Sequence, residues 1–228
     1  MMLKMLDCFC GMGGVSDGFA AEGFDVTGID IELAPSNLGY KHRFIQADIP
    51  TLNGEDYQGY DVIWGSPPCR DVSRIGQMYG HNWRNPPNPE RGKRTAEAFL
   101  EFVKRAQPTF WIMENVAQMA DYITLPPEVT TYITLAKNGQ GKKHSFWGNF
   151  PPFLIPKDCT KQVSYHKKAT DGSGRYWMRP KKGGKLSAWE NAKIPFAVSR
   201  AFARACREAL EPQIMQFNMS ELPSRKEK

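Results

Sequence analysis

The chain has few cysteines for its length, no long apolar run and no internal repeat, and each lack removes a class of protein. Five cysteines in 228 residues, Cys8, Cys10, Cys69, Cys159 and Cys206, are an odd number in a chain long enough to bury a core without covalent staples, so no secreted disulfide framework is expected. The N-terminus lacks the apolar stretch of a signal peptide, which points to a reducing cytoplasm. No apolar run approaches the roughly 18 residues of a membrane span, so a soluble protein without a membrane partner is expected. Metal-ligand spacing is also missing. Cys8-x-Cys10 has no nearby His or second Cys pair, and both thiols read as small buried apolar residues rather than a metal site.

What is present begins with charge. The formal net charge of +6 hides an asymmetry: residues 1–136 hold 11 basic and 17 acidic side chains, whereas residues 137–228 hold 19 and 7. Within residues 157–185 there are nine Lys or Arg against two Asp, interleaved with Tyr165, His166, Tyr176, Trp177 and four glycines. Such a mixture neutralises phosphates and stacks on bases, which suits nucleic acid; the plain alternative is a solvated basic loop.

Along the chain, strand and helix signals alternate. Leu3 to Phe9 reads as a strand, Gly11 to Gly14 as a tight turn and Val15 to Ala21 as a helix. Strands follow at Asp25 to Ile31, around Arg43 to Ala47, and at Asp61 to Trp64. Thr95 to Ala106 predicts a helix and Thr109 to Met113 a fifth strand. This order predicts an α/β fold, a doubly wound, mostly parallel sheet of Rossmann type over residues 1–150. Thr130 to Leu135 and His144 to Trp147 suit a hairpin at the sheet edge. The first strand has no helix before it, so a closing helix, Ile194 to Leu210, is expected to return and cover it, with Phe196, Ala197, Ala201, Phe202, Ala205 and Leu210 facing the core. Residues 71–93 are too long for an ordinary connection and read as a lid. Residues 151–186 form a small basic segment, 187–212 the closing helix and 213–228 a tail frayed at its polar end.

Two groups of residues carry chemistry. In Asp7-Cys8-Phe9-Cys10-Gly11-Met12-Gly13-Gly14 the glycines allow backbone to approach a ligand, but Ser16 stands where the third glycine of a dinucleotide fingerprint would be, which disfavours a pyrophosphate. Asp30, followed by Ile31, ends the second strand where a ribose hydroxyl is usually held, and Asp48, followed by Ile49, lies after the third strand where an adenine amino group would sit. Glycine turn, ribose acid and adenine acid in that order fit S-adenosylmethionine better than a dinucleotide; each acid alone could be a cap or turn. The second group is Gly65-Ser66-Pro67-Pro68-Cys69. An apolar strand breaks into a glycine and two prolines that stiffen the approach to one thiol, as a loop presenting a nucleophile would, although a rigid loop with an incidental cysteine reads the same way. Glu114-Asn115-Val116 follows the fifth strand directly and should emerge on the same sheet edge. A thiolate adding to carbon 6 of a cytosine makes carbon 5 nucleophilic, and a carboxylic acid at ring nitrogen 3 stabilises the developing charge. An ordinary thiol, with pKa about 8.5, is mostly protonated at neutral pH, and Arg70 or a helix N-terminus after the lid would help to correct that.

Taken together, Asp7-x-Phe9-x-Gly11-x-Gly13-Gly14, Pro67-Pro68-Cys69 with Ser73 four residues on, and Glu114-Asn115-Val116 resemble motifs I, IV and VI of the DNA (cytosine-5) methyltransferases, in order, over about the first 150 residues. The chain is similar to the compact phage and prophage members. The resemblance implies methyl transfer from S-adenosylmethionine to carbon 5 of a flipped-out cytosine in double-stranded DNA, as part of a restriction-modification pair or on its own, by a monomer that needs no metal. It assigns the chemistry to Cys69 and Glu114, supported by Pro68, Asn115 and Arg70. The cofactor would lie against Asp7, Phe9, Gly11, Gly13, Gly14, Asp30, Ile31, Asp48 and Ile49. DNA would lie against Ser73, Lys142, Lys143, Lys167, Lys168, Arg175, Lys181 and Lys182.

The chain also departs from the family. Arg70 replaces a Gln, and the paired arginines of motif VIII give way to Gly141-Lys142-Lys143-His144, where Lys142 or His144 could substitute or could face solvent on an edge strand. A full target-recognition domain is replaced by the small basic insertion. Asn191-Ala192-Lys193-Ile194-Pro195 only echoes the family's last motif, and Lys193 there raises carboxymethyl transfer from a carboxylated cofactor as a minor variant. An RNA cytosine methyltransferase and a catalytically silent DNA-binding relative are the alternatives; a nicotinamide oxidoreductase fits least.

Overall fold

The protein was analysed as a computed structural model that describes residues 2–32, 39–79, 81, 85–134, 141–155, 159 and 193–220, without the side chains of 75, 79, 134, 141, 142 and 212–220. Lys167, Lys168, Arg175, Lys181 and Lys182 lie outside the described residues, as does the side chain of Lys142.

Seven strands form one sheet in the order β3-β2-β1-β4-β5-β7-β6. They are β1 (Lys4–Cys8), β2 (Asp25–Asp30), β3 (Arg43–Gln46), β4 (Val62–Gly65), β5 (Phe110–Val116), β6 (Val129–Thr134) and β7 (Gly141–Asn149). Strands β1 to β5 are mutually parallel, and β7 runs antiparallel to both β5 and β6. The doubly wound, mostly parallel sheet expected from the alternation of elements is therefore present. Order reverses between β1 and β4, the position at which open α/β sheets bind ligands outside the carboxyl ends of their strands.

Residues alternate between two cores, as the strand period requires. Met5, Val26, Val62, Trp64, Ile112 and Phe146 face one side, with helix α1 (Gly14–Ala21) and the closing helix α4 (Phe196–Ser220). Leu6, Ile29, Ile63, Met113 and Trp147 face the other, with Phe99, Phe102 and Val103 of helix α3 (Pro89–Ala106). The closing helix does return over β1, packed on α1, but with a different face inward. Val198, Ser199, Phe202, Ala203, Cys206 and Leu210 are buried, whereas Phe196 is 46 % exposed, Ala197 is exposed, and Ala201 and Ala205 are half-buried. Apolar residues cover more than one stripe of this helix, and packing against α1 selects among them. Ser199 Oγ donates to the Gly14 carbonyl at 2.9 Å, and Gly18 admits the helix backbone, since a Cβ there would lie 2.2 Å from Ser199 Oγ.

Other boundaries differ from the sequence reading: α4 runs on to Ser220, past the Leu210 end and into the segment read as a tail, and β7 starts at Gly141 rather than His144. Helix α3 starts at Pro89 rather than Thr95, because Asn88 Oδ1 caps it by accepting from the Arg91 N–H at 3.2 Å and Pro89 occupies the first turn. The segment read as a lid also contains a short helix, α2 (Arg74–Tyr79). Strand β5 continues through Glu114, Asn115 and Val116 instead of ending before them, since β7 goes on pairing with it as far as Val116↔His144. That pairing also makes β6 the edge strand, so His144 lies inside the sheet at 5 % exposure and does not face solvent.

Candidate active site

The loop after β1 is built around a buried acid. Asp7 is 1 % exposed, and its carboxylate accepts from the Ser16 hydroxyl at 2.6 Å and the Ser16 N–H at 3.1 Å. Ser16 lies in the first turn of α1, so an acid from the preceding strand satisfies a helix N-terminus that would otherwise attract an anion. Burial pushes the Asp7 carboxyl up to about 7, opposed by the two Ser16 hydrogen bonds. A phosphate would have to displace this carboxylate, which gives the missing third glycine its physical counterpart. The turn itself needs left-handed backbone: φ is 61° at Phe9, 51° at Gly11 and 74° at Gly13.

Asp30 holds that turn from β2, its Oδ2 accepting from the Gly11 N–H at 2.9 Å and its Oδ1 from the Glu32 N–H at 3.3 Å. Burial raises the Asp30 pKa. Beside it Ile31 is 59 % exposed. Asp48 is exposed and makes no cap bond at the start of its 3-10 turn. Ile49 is 2 % exposed and packs in the second core, so its side chain belongs to the interior rather than to a ligand surface. Phe9, Gly11, Met12, Gly14 and Ser66 line a cleft of about 80 Å³ closed on one side by Lys193 and Ile194. The Lys193 ammonium reaches this wall and pairs with Asp17 Oδ2 at 3.1 Å. Two residues here had no signal in the sequence: Tyr40, whose hydroxyl lies 3.0 Å from Ser16 Oγ, and Asp17, shared between Lys193 and His42. Cys8 and Cys10 are buried, and burial pushes both thiols up, as inert core residues require.

The second half of the site joins β4 to β5. After Gly65, the Ser66 N–H donates to the Cys8 carbonyl at 3.2 Å and its hydroxyl accepts from Trp64 Nε1 at 2.9 Å. The Asn115 side-chain amide donates to the Pro67 carbonyl at 2.8 Å within the protein interior. One hydrogen bond thus fastens the Pro-Pro-Cys loop to the residue next to Glu114. Cys69 follows, half-buried, between exposed Pro68 and exposed Arg70. The 3-10 turn Cys69–Asp71 is anchored by Asp71, buried at 5 % exposure and gripped by Arg91 Nε at 2.7 Å and Nη2 at 2.6 Å. Nothing in the spacing of Asp71 and Arg91 announces that pair. Ser73 is half-buried, and its Oγ accepts from the Gly76 N–H at 3.1 Å, a helix-capping bond on α2.

Glu114 is 7 % exposed, and its Oε1 is bound by Nδ1 of His144 from the facing strand. Lys143, next along β7, is exposed. Sequence reasoning could suggest His144 but could not show its partner, because the pairing depends on β5–β7 register. A groove of about 610 Å³ lies elsewhere, between residues 152–154 and the outer face of α4. Among the described residues no group of three or more His, Cys, Asp or Glu could hold a metal, and no helix is long and apolar enough to cross a membrane.

The chain is similar to several known methyltransferases. The type II methyltransferase M1.HphI of Haemophilus parahaemolyticus is 32 % identical over 131 residues, covering 52 % of this chain and 34 % of that protein. M.FnuDI of Fusobacterium nucleatum, another type II methyltransferase, is 32 % identical over 121 residues, 51 % of this chain and 33 % of that one. This chain thus spans about a third of the length of these relatives. A frog virus 3 protein named as a probable DNA (cytosine-5)-methyltransferase is 24 % identical over 212 residues, covering 87 % of this chain and 96 % of its own length. Among solved structures, the Entamoeba histolytica methyltransferase EhMeth aligns with a TM-score of 0.45 at 13 % identity, over 72 % of this chain and 58 % of that one. Residues 3–124, which hold β1 to β5, the glycine turn, Cys69 and Glu114, match the model of one family over just over half of the chain, and the chain belongs to that family, the C-5 cytosine-specific DNA methylases.

Proposed function

We infer that this chain transfers a methyl group from S-adenosylmethionine to carbon 5 of a cytosine in double-stranded DNA. The observation that carries this reading is the Asn115 to Pro67 hydrogen bond, which holds the loop of Cys69 against the strand of Glu114. Two groups of the right chemistry are thereby kept together without relying on flexible loops, as a preorganised site requires.

The cofactor supplies an electrophilic methyl group on a sulfonium. The residues toward it fit an uncharged nucleoside with an amino-acid arm better than a pyrophosphate, because Asp7 already meets the N-terminus of α1. Exposed Ile31 offers an apolar surface next to Asp30, and the turn of Phe9, Gly11, Gly13 and Gly14 lets backbone come close. Asp48 stands exposed beyond the third strand, free of cap duty. Cys69 adds through its sulfur to carbon 6, and Glu114 gives a proton to ring nitrogen 3. Once carbon 5 holds the methyl, loss of its hydrogen and of the sulfur bond restores the aromatic ring. Pro68 stiffens the approach of the thiol and Arg70 supplies nearby positive charge. Glu114 is too deeply set to meet a base still stacked in a duplex, which supports extrusion of the target. The basic residues of 157–185, with exposed Lys143, would take the phosphates.

The test is transfer of labelled methyl to duplex DNA, with bisulfite sequencing of the product. Wild type should convert cytosines in a defined context, and Cys69→Ala should remove turnover while leaving cofactor binding. Equal labelling by Cys69→Ala, or labelling of folded RNA in preference to duplex DNA, would overturn the reading.

A further inference from the structure

Among the described residues, one buried side-chain nitrogen or oxygen lacks a hydrogen-bond partner, Nε2 of His144. The other ring nitrogen is bound to Glu114 Oε1, and both side chains are more than nine-tenths buried. Leaving a buried polar atom unpaired is destabilising, so a histidine kept for architecture alone ordinarily has both nitrogens satisfied. Here the single bond goes to the carboxyl on which the reaction depends. Resting on the function inferred above, we propose that His144 is a positioning residue for Glu114. Its Nδ1–H holds one carboxyl oxygen, leaves the other to ring nitrogen 3 of the cytosine, and stabilises the carboxylate that remains when that oxygen has lost its proton.

As the Cys69 thiolate bonds to carbon 6, the C5=C6 π pair becomes a C4=C5 bond, the C4=N3 pair moves onto nitrogen 3, and nitrogen 3 takes the proton of the free carboxyl oxygen. The carboxylate left behind accepts the Nδ1–H of His144, a charge-assisted hydrogen bond stronger than the one made before the proton left. Once carbon 5 carries the methyl, water takes the C5 proton and the C5–H pair re-forms C5=C6. The sulfur leaves with the pair of its bond to carbon 6, and nitrogen 3 returns its proton to Glu114. His144 ends the cycle as it began. A bond from Nδ1 to a carboxyl also fixes the ring tautomer.

Among the described residues, the strand of His144 has β5 on one side and β6 on the other. Across β5, His144 is opposite Val116 with Glu114 beside it, and across β6 it is opposite Thr131. Tyr132, the next residue of β6, is 37 % exposed, and Lys143 on β7 and Asp121 in the 3-10 turn after β5 are exposed too. Cys69 is the other titrating group of the site, half-buried at the end of β4.

The experiment compares His144→Phe, His144→Gln and wild type in steady-state methylation of cytosine-containing duplex DNA across pH. His144→Phe should lower kcat about 100-fold while KM for DNA and for cofactor stays within about twofold. His144→Gln, whose amide can still donate to the carboxyl, should regain roughly tenfold of that loss. Unchanged kcat in His144→Phe, or a loss that tracks melting temperature and is not regained in His144→Gln, overturns the proposal. Nitrogen-15 spectra of wild type decide it if the variants do not fold. Nδ1 should appear as a bonded N–H and Nε2 as bare, with the Nδ1 signal altered in Glu114→Gln; an Nδ1 signal indifferent to that substitution refutes the role. Wild type that moves no methyl to cytosine would refute the function itself, a result separable from any behaviour of the variants.

Discussion

Asp7 makes the stability of this protein depend on pH in an unusual direction. A free aspartate titrates near 4, whereas burial holds the Asp7 carboxyl up to about 7. Between those values the folded chain keeps a proton that the unfolded chain has released. The contribution is thus complete below about pH 4 and is lost as pH rises through about 7, a change on the order of a few kcal/mol. Asp7→Asn keeps the shape and removes the titration. Urea unfolding at about pH 5 and about pH 8 should show the wild type weakening between the two, with the variant nearly level; parallel behaviour of both proteins would place the pH dependence elsewhere. At this scale the sequence was informative where a residue acts through its own type and loop. Cys69 behind two prolines and the Asp7 to Gly14 turn were legible because proline and glycine dictate backbone directly. The partners of Glu114, Asp7 and Asp71 were not, since His144, Ser16 and Arg91 meet them only after strands pair and helices dock.

Helix α4 shows how an element can be foreseen while its orientation is not. Its existence follows from the bare flank of β1, but its apolar residues permit two faces, and Ser199 against α1 chooses between them. Gly18 is the position that permits this docking. Gly18→Ala would set a Cβ 2.7 Å from the Arg200 backbone nitrogen, so α4 must shift, at about 1–3 kcal/mol in denaturant unfolding. Because Lys193 and Ile194 at the head of α4 close the cleft by the glycine turn, the same variant should weaken cofactor binding measured by calorimetry. A loss of stability with affinity unchanged would separate the helix from the cleft. Strand β5 shows the same division between local and distant causes. Its start after the Thr95 to Ala106 helix was readable, but its end was set by β7, a partner some 30 residues away, whose pairing extends the strand through Glu114.

Across the whole molecule, charge divides along the sequence: an acidic half carries six of the seven strands with Cys69 and Glu114, and a basic half carries β7, α4 and the lysines of residues 157–185. Reversing Lys167, Lys168, Lys181 and Lys182 to Glu should weaken duplex binding and flatten its dependence on salt, by up to about 0.9 in log–log slope for each phosphate that is no longer neutralised. An unchanged slope would show that DNA is gripped elsewhere. The central claim, that Cys69 and Glu114 act on one extruded cytosine, is tested most directly by a trap. A duplex with 5-fluorocytosine at the target cannot lose its C5 substituent as a proton, so the sulfur bond to carbon 6 should persist. In the presence of S-adenosylmethionine, mass spectrometry should find the wild type covalently joined to DNA through Cys69, with Cys69→Ser forming no adduct and Glu114→Gln forming it far more slowly. A wild-type protein that methylates cytosine but yields no adduct, or an adduct on any other residue, would contradict the account.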